Sequence, residues 1–282
     1  MEVIEKVISY KSTDRFYLYP LGDLHLGVVH CDEDLLRAKV AEIKSLGKKA
    51  FWLGMGDYGD CITPSDFKRW DGKILAPWMK DKADNIGPTQ VKRVDEILSP
   101  IWGQCLGLIE GNHDDNIRRY NHYDFMYELL EKANRKHSVP YAGVSCFVRL
   151  NFKRENSNEA HDIIIHARHG EGAARTSGAR ALAVLRLAMS MVNAHITLSG
   201  HLHGQESPDV PERIILKNGR IKSMETIATM TGAWIKAFMQ GVPPCYLERW
   251  GSPPSTLGCP RIVISPQNNT MVLEKTRKTR TL

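Results

Sequence analysis

Residues 106–119 read LGLIEGNHDDNIRR: a short apolar run, Leu106 to Ile109, ends at a glycine and is followed directly by Asn112, His113, Asp114 and Asp115. Four apolar or small residues bounded by glycine and polar side chains read as a buried strand. Two carboxylates, an amide and an imidazole set at its end mark the strand terminus as a place where chemistry is done.

The same arrangement recurs in both directions from this point. RFYLYPLGDLHLG (15–27) carries an extended apolar segment into a glycine-flanked polar cluster, and a helix is expected from about Asp32 to Leu46. KAFWLGMGDYGD (49–60) runs into Gly, Asp and Gly, while HDIIIHARHG (161–170) and HITLSGHLHG (195–204) close two further strands in the same way. Between them, a polar, tryptophan-containing region (61–90) leads to a helix ending near Ser99-Pro100. Further helices are expected near 122–136 and, with amphipathic spacing, over about 176–192. VSCFVRLNF (144–152) and RIVIS (261–265) add strands.

Five strands ending in polar loops, with helices between the first three, predict a layered α/β domain whose site lies at the strand ends. The β-rich part from about residue 139 makes the sheet mixed or divides it in two. Residues 1–273 are expected to form a single domain, with 61–92 an insertion or cap. The Gly- and Pro-rich stretch 241–260 reads as an ordered loop near the site, and 274–282, ending KTRKTRTL, as a basic tail.

Bulk composition narrows the class. With 282 residues, 42% of them hydrophobic and 25% charged, the chain can bury a core and is not compositionally disordered. A formal charge of +6 favours anionic partners. Cysteines at 31, 61, 105, 146, 245 and 259 show no C-x-x-C spacing and are too sparse for a disulfide scaffold, so reduced thiols are expected. The N-terminal MEVIEKVISYKSTDRF lacks the apolar core of a secretory signal. ALAVLRLAMSMV (181–192) is too short to span a bilayer and is interrupted by Arg186. The expected location is cytoplasmic.

Each cluster has its own chemistry. On extended backbone Asp23 and His25 face the same way, as do His201 and His203, which makes each pair a chelating arrangement. Imidazole nitrogen suits zinc, manganese, iron and nickel. Asp57, between glycines, is a carboxylate able to join two cations, although a turn or capping role fits it better when it is taken alone. His169 follows an apolar run, whereas His166, inside that run, reads as a core histidine.

Taken in order, D-x-H (Asp23, His25), G-D-x-x-D (Asp57, Asp60), G-N-H-D (Asn112, His113, Asp114), H-G (His169) and G-H-x-H (His201, His203) resemble the calcineurin-like metallophosphoesterase superfamily over residues 22–204. The wording is closest to the DNA-repair exonuclease branch, without that branch's capping domain. TGAWIKAF and YLERWGSPPSTLGCP resemble phosphoesterases of phages and prophages. The resemblance implies a sandwich of two mixed β-sheets flanked by helices. It implies two divalent metal ions, manganese first, with iron, zinc or nickel as alternatives. One ion would be held by Asp23, His25, Asp57 and His203, the other by Asp57, Asn112, His169 and His201, with Asp57 bridging. Two such ions less two carboxylates leave a residual charge of about +2, enough to clamp a phosphate and make hydroxide available at neutral pH. His113 would act as general acid, with Asp114 holding its imidazole in orientation.

The function implied is hydrolysis of phosphodiesters by metal-activated hydroxide, of nucleic acid or nucleotides. A phosphomonoesterase is the alternative, and from another class a catalytically idle nucleic-acid binder. Arg175, Arg118 and Arg119 are candidate phosphate contacts. FKRW (67–70), Lys80, Lys82 and Lys92-Arg93 add basic residues, with Trp70 and Trp78 available for base stacking. A homodimer would be in keeping with the nuclease branch.

Overall fold

Alternation along the apolar strands fixes the layering. In the computed structural model, which describes residues 1–217 and 219–276, β2 (Phe16–Leu21) turns Phe16 and Leu18 to one buried side and Tyr19 and Leu21 to another. A strand buried on both faces must be covered twice. β3 (Ala50–Gly54) repeats the division, with Phe51 and Leu53 on one side and Ala50 and Trp52 on the other.

These two strands are the centre of a five-stranded sheet. β2 pairs in parallel with β3, and β3 with β4 (Cys105–Leu108); β11 (Arg261–Ser265) joins β2 antiparallel and is followed outward by β12 (Thr270–Glu274). The second sheet runs β1 (Glu2–Tyr10), β5 (Ser145–Arg154), β6 (Ala160–Arg168), β7 (Ile196–Ser199) and β10 (Ile227–Met230), with only β5–β6 antiparallel. Phe16, Leu18, Phe51, Leu53 and Ile264 from the first sheet share one core with Val148, Leu150, Ile165 and Leu198 from the second.

Helices complete four layers. α1 (Glu33–Ser45), α2 (Ile86–Leu98) and α4 (Phe125–Asn134) set Leu36, Val40, Ile43, Val91, Val94 and Leu129 against Trp52 and Tyr19 on the outer face of the first sheet. α5 (Ser177–Ser190) lays Val184 and Ala188 against Ala228 and Met230 on the second. The architecture is thus α/β with two mixed sheets, as the sequence predicts. Among the described residues no helix is long and apolar enough to cross a membrane.

The structure departs from the sequence reading in several places. A helix, α3 (Asn112–Asn121), begins inside the quoted stretch, ten residues before the one expected near 122–136. β1 and an exposed hairpin of β8 (Arg213–Lys217) and β9 (Arg220–Met224) were not expected, although Asn218-Gly219 between the two runs of the hairpin is a turn signal in the sequence. The 61–92 segment ends within α2, and its earlier part folds around Leu75, Ala76, Met79 and Ile86. The tail expected at 274–282 starts on the last residue of β12, and 277–282 lie outside the described residues. All six cysteines are free thiols, as expected.

Candidate metal centre

Five strands, β2, β3, β4, β6 and β7, deliver their polar clusters to one place. The loops after β2 and β3 continue the sheet's pairing beyond its end: Asp23 N–H donates to Gly56 O at 2.9 Å, and Leu24 and His25 N–H to Asp57 O at 2.9 and 3.0 Å. Asp23, His25, Asp57, His201 and His203 all stand at positive φ, between 47° and 68°. Alternation on extended backbone therefore does not explain why Asp23 and His25, or His201 and His203, converge. Left-handed turns past the strand ends do, at a cost of about 1–2 kcal/mol for each residue with a Cβ, less for Asp and His than for other types.

The carboxylates and imidazoles form overlapping groups, one of which, His25, Asp57 and His113, links the two described next. Asp23, His25 and His203 offer ligand atoms within 4.8 Å of one another, and so do Asp57, His169 and His201. In the first, His25 Nε2 lies 3.1 Å from His203 Nε2, which is 3.3 Å from Asp23 Oδ1. In the second, Asn112 Oδ1 is 2.7 Å from His201 Nδ1 and 3.1 Å from His169 Nε2. Asp57 belongs to both. Its Oδ2 is 3.2 Å from His169 Nε2 and 3.8 Å from His25 Nε2, while Oδ1 accepts the His113 backbone N–H at 2.8 Å.

The donor chemistry fits divalent metal ions. His169 Nδ1–H donates to Met55 O at 2.7 Å and His201 Nε2–H to Gly172 O at 3.0 Å, so each ring turns its other nitrogen toward Asn112; against burial, the Asp57 carboxylate raises the His169 pKa to about 10, so its Nε2 carries a proton that a metal ion would displace. Backbone carbonyls fix metal-ligating histidines in this way. Asp23 and Asp57 are buried, and among the described residues they form ion pairs only with histidines, never with lysine or arginine. Buried carboxylates without such partners need cations or protons. Burial opposes ionisation of Asp57, but His169 and His113 hold its carboxyl well below the usual range. Burial keeps His25 and His201 low, hence neutral.

Two glycines make the approach possible. A Cβ on Gly111 would lie 2.1 Å from Asp57 Oδ1, and one on Gly56, at φ 90°, 2.7 Å from His169 Nδ1. Gly111 caps α3, so Asn112 and His113 occupy the helix's first turn and diverge: Asn112 reaches the second group, and His113 stands edge-on to His25 at 4.6 Å. His113 Nδ1–H donates to the Asp60 carbonyl.

Asp114 corrects an expectation. It does not orient His113; its carboxylate accepts N–H bonds from Gly111 at 2.9 Å, Asp57 at 2.8 Å and Tyr58 at 3.2 Å. As the third residue of α3 it points back along the helix, and so ties the β4 loop to the β3 loop. Burial and the nearby Asp57 charge push its pKa up.

Above the cluster lies a cavity of about 250 Å³. Arg175 and Lys68 line it and pair with no carboxylate among the described residues. Arg118 and Arg119 do not line it. Arg118 is drawn to buried Glu110 at 2.7 Å and to Asp115, and Arg119 to Asp115 at 2.5 Å. Asp115 is thus an ion-pair partner. Trp78 donates to Glu33 at 2.8 Å beneath the Arg93 guanidinium, and Trp70 packs on the Leu75 cluster, so neither faces the cavity.

The stretch 241–260, expected as an ordered loop near the site, forms the other wall, although the sequence reading assigned no role to its residues. Within 241–260, α6 (Tyr246–Arg249) puts the Tyr246 hydroxyl 3.1 Å from His203 Nε2, with Trp250 stacked edge-on at 5.2 Å. Arg249, also on the cavity, pairs with Asp71 at 2.6 Å across the mouth. Arg180, 6% exposed, binds Glu206 at 2.9 Å and holds the Arg175 carbonyl at 3.2 Å. His166 is a core histidine, as expected. Its ring is buried against Phe147 with neither nitrogen bonded, and burial brings its pKa down to about 4.

Two mixed sheets, flanking helices and an Asp/His/Asn cluster at the strand ends are consistent with the metallophosphoesterase fold. No protein-family model and no curated protein sequence matches the chain. Among solved structures it is similar to a predicted phosphoesterase of Streptococcus pneumoniae, at 13% identity and TM-score 0.33 over 89% of this chain and 84% of that one. It is similar to GAP50 of Plasmodium, titled the anchor in the inner membrane complex, at 12% identity and TM-score 0.46 over 93% and 84%. It is also similar to the calcineurin-like phosphoesterase YfkN of Bacillus subtilis, at 10% identity and TM-score 0.32 over 78% and 82%.

Proposed function

We propose that this chain is a calcineurin-like metallophosphoesterase that hydrolyses phosphodiesters of nucleic acid or nucleotides. The observation that carries the reading is the placement of one oxygen, Asp57 Oδ2, between the two groups of ligands. Asp23, His25 and His203 would hold one divalent ion, Asn112, His169 and His201 the other, and Asp57 both; mixed nitrogen and oxygen donors suit manganese, iron, zinc or nickel. When bound, such ions supply an electrophilic clamp for phosphate and acidify water.

The chain's own groups do the rest. His113 donates a hydrogen bond from Nδ1–H to the Asp60 carbonyl, which leaves Nε2 for the substrate; as imidazolium the ring would pass its Nε2 proton to the leaving oxygen and end as the neutral Nδ1–H tautomer. Asp114 keeps the β3 and β4 loops in register by holding their amides. Arg175 and Lys68 attract the phosphate at the mouth, and Trp250 offers a face on which a base stacks. Tyr246, whose phenol burial and the surrounding carboxylates keep protonated, donates toward the first group or toward substrate oxygen.

Hydrolysis of bis(p-nitrophenyl) phosphate against p-nitrophenyl phosphate, with metal-stripped protein resupplied with Mn²⁺, tests the reading. A preference for the diester is expected. A preference for the monoester would refute the diesterase assignment and leave a phosphomonoesterase.

A further inference from the structure

Another cluster of ligand-type side chains lies behind the cavity wall. His30, Cys245 and Glu248 bring ligand atoms within 4.8 Å of one another, and none of the three belongs to the centre described above. His30 follows β2 by nine residues, on the loop that carries Asp23 and His25. Cys245 and Glu248 flank Tyr246 on the opposite wall.

Part of this cluster has an ordinary explanation. Cys245 caps α6, and its backbone N–H donates to Glu248 Oε1 at 3.3 Å. Capping leaves His30 unexplained. The ring is 1% exposed, its Nε2–H donates to Pro243 O at 2.9 Å, and Nδ1 is buried with no hydrogen-bond partner. A carbonyl on one ring nitrogen and a bare lone pair on the other is how metal-ligating histidines are held. An unpaired buried acceptor otherwise costs about 1–3 kcal/mol.

From these contacts we infer that His30, Cys245 and Glu248 bind a zinc ion, with water in the fourth position. Thiolate, imidazole and carboxylate together are a zinc donor set, and from a separation within 4.8 Å, bonds of about 2.0–2.3 Å require the three side chains to close by at most about an ångström. Thiolate and carboxylate neutralise the ion's two charges, which suits a site where His30 and Cys245 are buried. The ion fastens the wall bearing Tyr246 to the loop bearing Asp23 and His25. It is separate from the dinuclear centre and does not rest on the phosphoesterase reading.

Cobalt titration of the metal-stripped full chain tests this, because the dinuclear ligand set contains no sulfur and gives no thiolate-to-cobalt charge-transfer band. The expected result is such a band in the near ultraviolet, with the intensity of one thiolate ligand per chain, retained in Asp57→Asn and absent from Cys245→Ala. His30→Gln keeps the thiol and should weaken cobalt binding at least about tenfold. Absence of the band in the unaltered chain, its survival in Cys245→Ala, its loss in Asp57→Asn, or unchanged affinity in His30→Gln would each overturn the site.

Discussion

The two halves of the central cluster are unequally exposed. Asp23 and His25 are wholly buried and His203 nearly so, although His25 and His203 line the cavity beside Tyr246. On the other side Asn112 and His201 reach the cavity, and only His169 is buried. Asp57 is common to both. On the proposed reading the more buried half would hold its ion by desolvated carboxylate and imidazole, and the more exposed half would exchange its ion with solvent more readily. The same ligand types would thus serve retention on one side and access on the other.

Asp57→Asn should erase the distinction. It removes the shared charge, and activity should fall by more than about 10³-fold with both classes of ion lost in elemental analysis; retention of one tightly held ion would show that the halves do not depend on Asp57. His113→Gln should leave both ions in place. It should slow turnover by about 10²–10⁴-fold for esters with poor leaving groups and far less for nitrophenyl esters. Equal loss for both ester types would remove His113 from the proton-donor role.

Asn112→Ala sharpens the contrast most directly. Calorimetric Mn²⁺ titration should show one class of site weakened about 10–100-fold and the other unchanged. Weakening of both would mean that the halves are not independent. Arg175→Ala should raise KM roughly tenfold with little change in kcat, and an unchanged KM would exclude phosphate contact at the mouth.

Much of this was legible in the sequence, for a definite reason. The five strands are short apolar runs stopped by glycine, and their ends announce themselves by residue type: all seven expected ligands meet in space. α3 was not legible because only Asp114 and Ile117 of NHDDNIRRYN are buried, so the segment has no apolar stripe. β1 was not because its first six residues face solvent wholly or in part. Tyr246 lies 43 residues beyond His203 on a Gly/Pro-rich segment, and only long-range packing places it. The phosphate roles expected of Arg118 and Arg119 failed because Glu110 and Asp115, close by on the same stretch, take their charges.

The smallest expected effect concerns a histidine outside the centre. Buried His166 binds fewer protons in the folded than in the unfolded chain between pH about 4 and its ordinary 6.5. Stability from its neutral form is complete above that window and is lost as pH falls through it. His166→Leu should leave turnover at neutral pH intact. The Tm lost between pH 7 and pH 5 should shrink by about 2–4 °C, and an unaltered acid limb would show that His166 does not titrate with unfolding.

The left-handed backbone beneath Asp23, His25, Asp57, His201 and His203 has one more consequence. Glycine occupies that conformation without steric penalty, so replacing Asp23, His25, Asp57 or His203 with glycine removes both a strained torsion and a desolvated polar group. Random variants of this chain sorted by heat resistance alone would therefore lose their chemistry first. The most durable survivors would be inert proteins with the same outline.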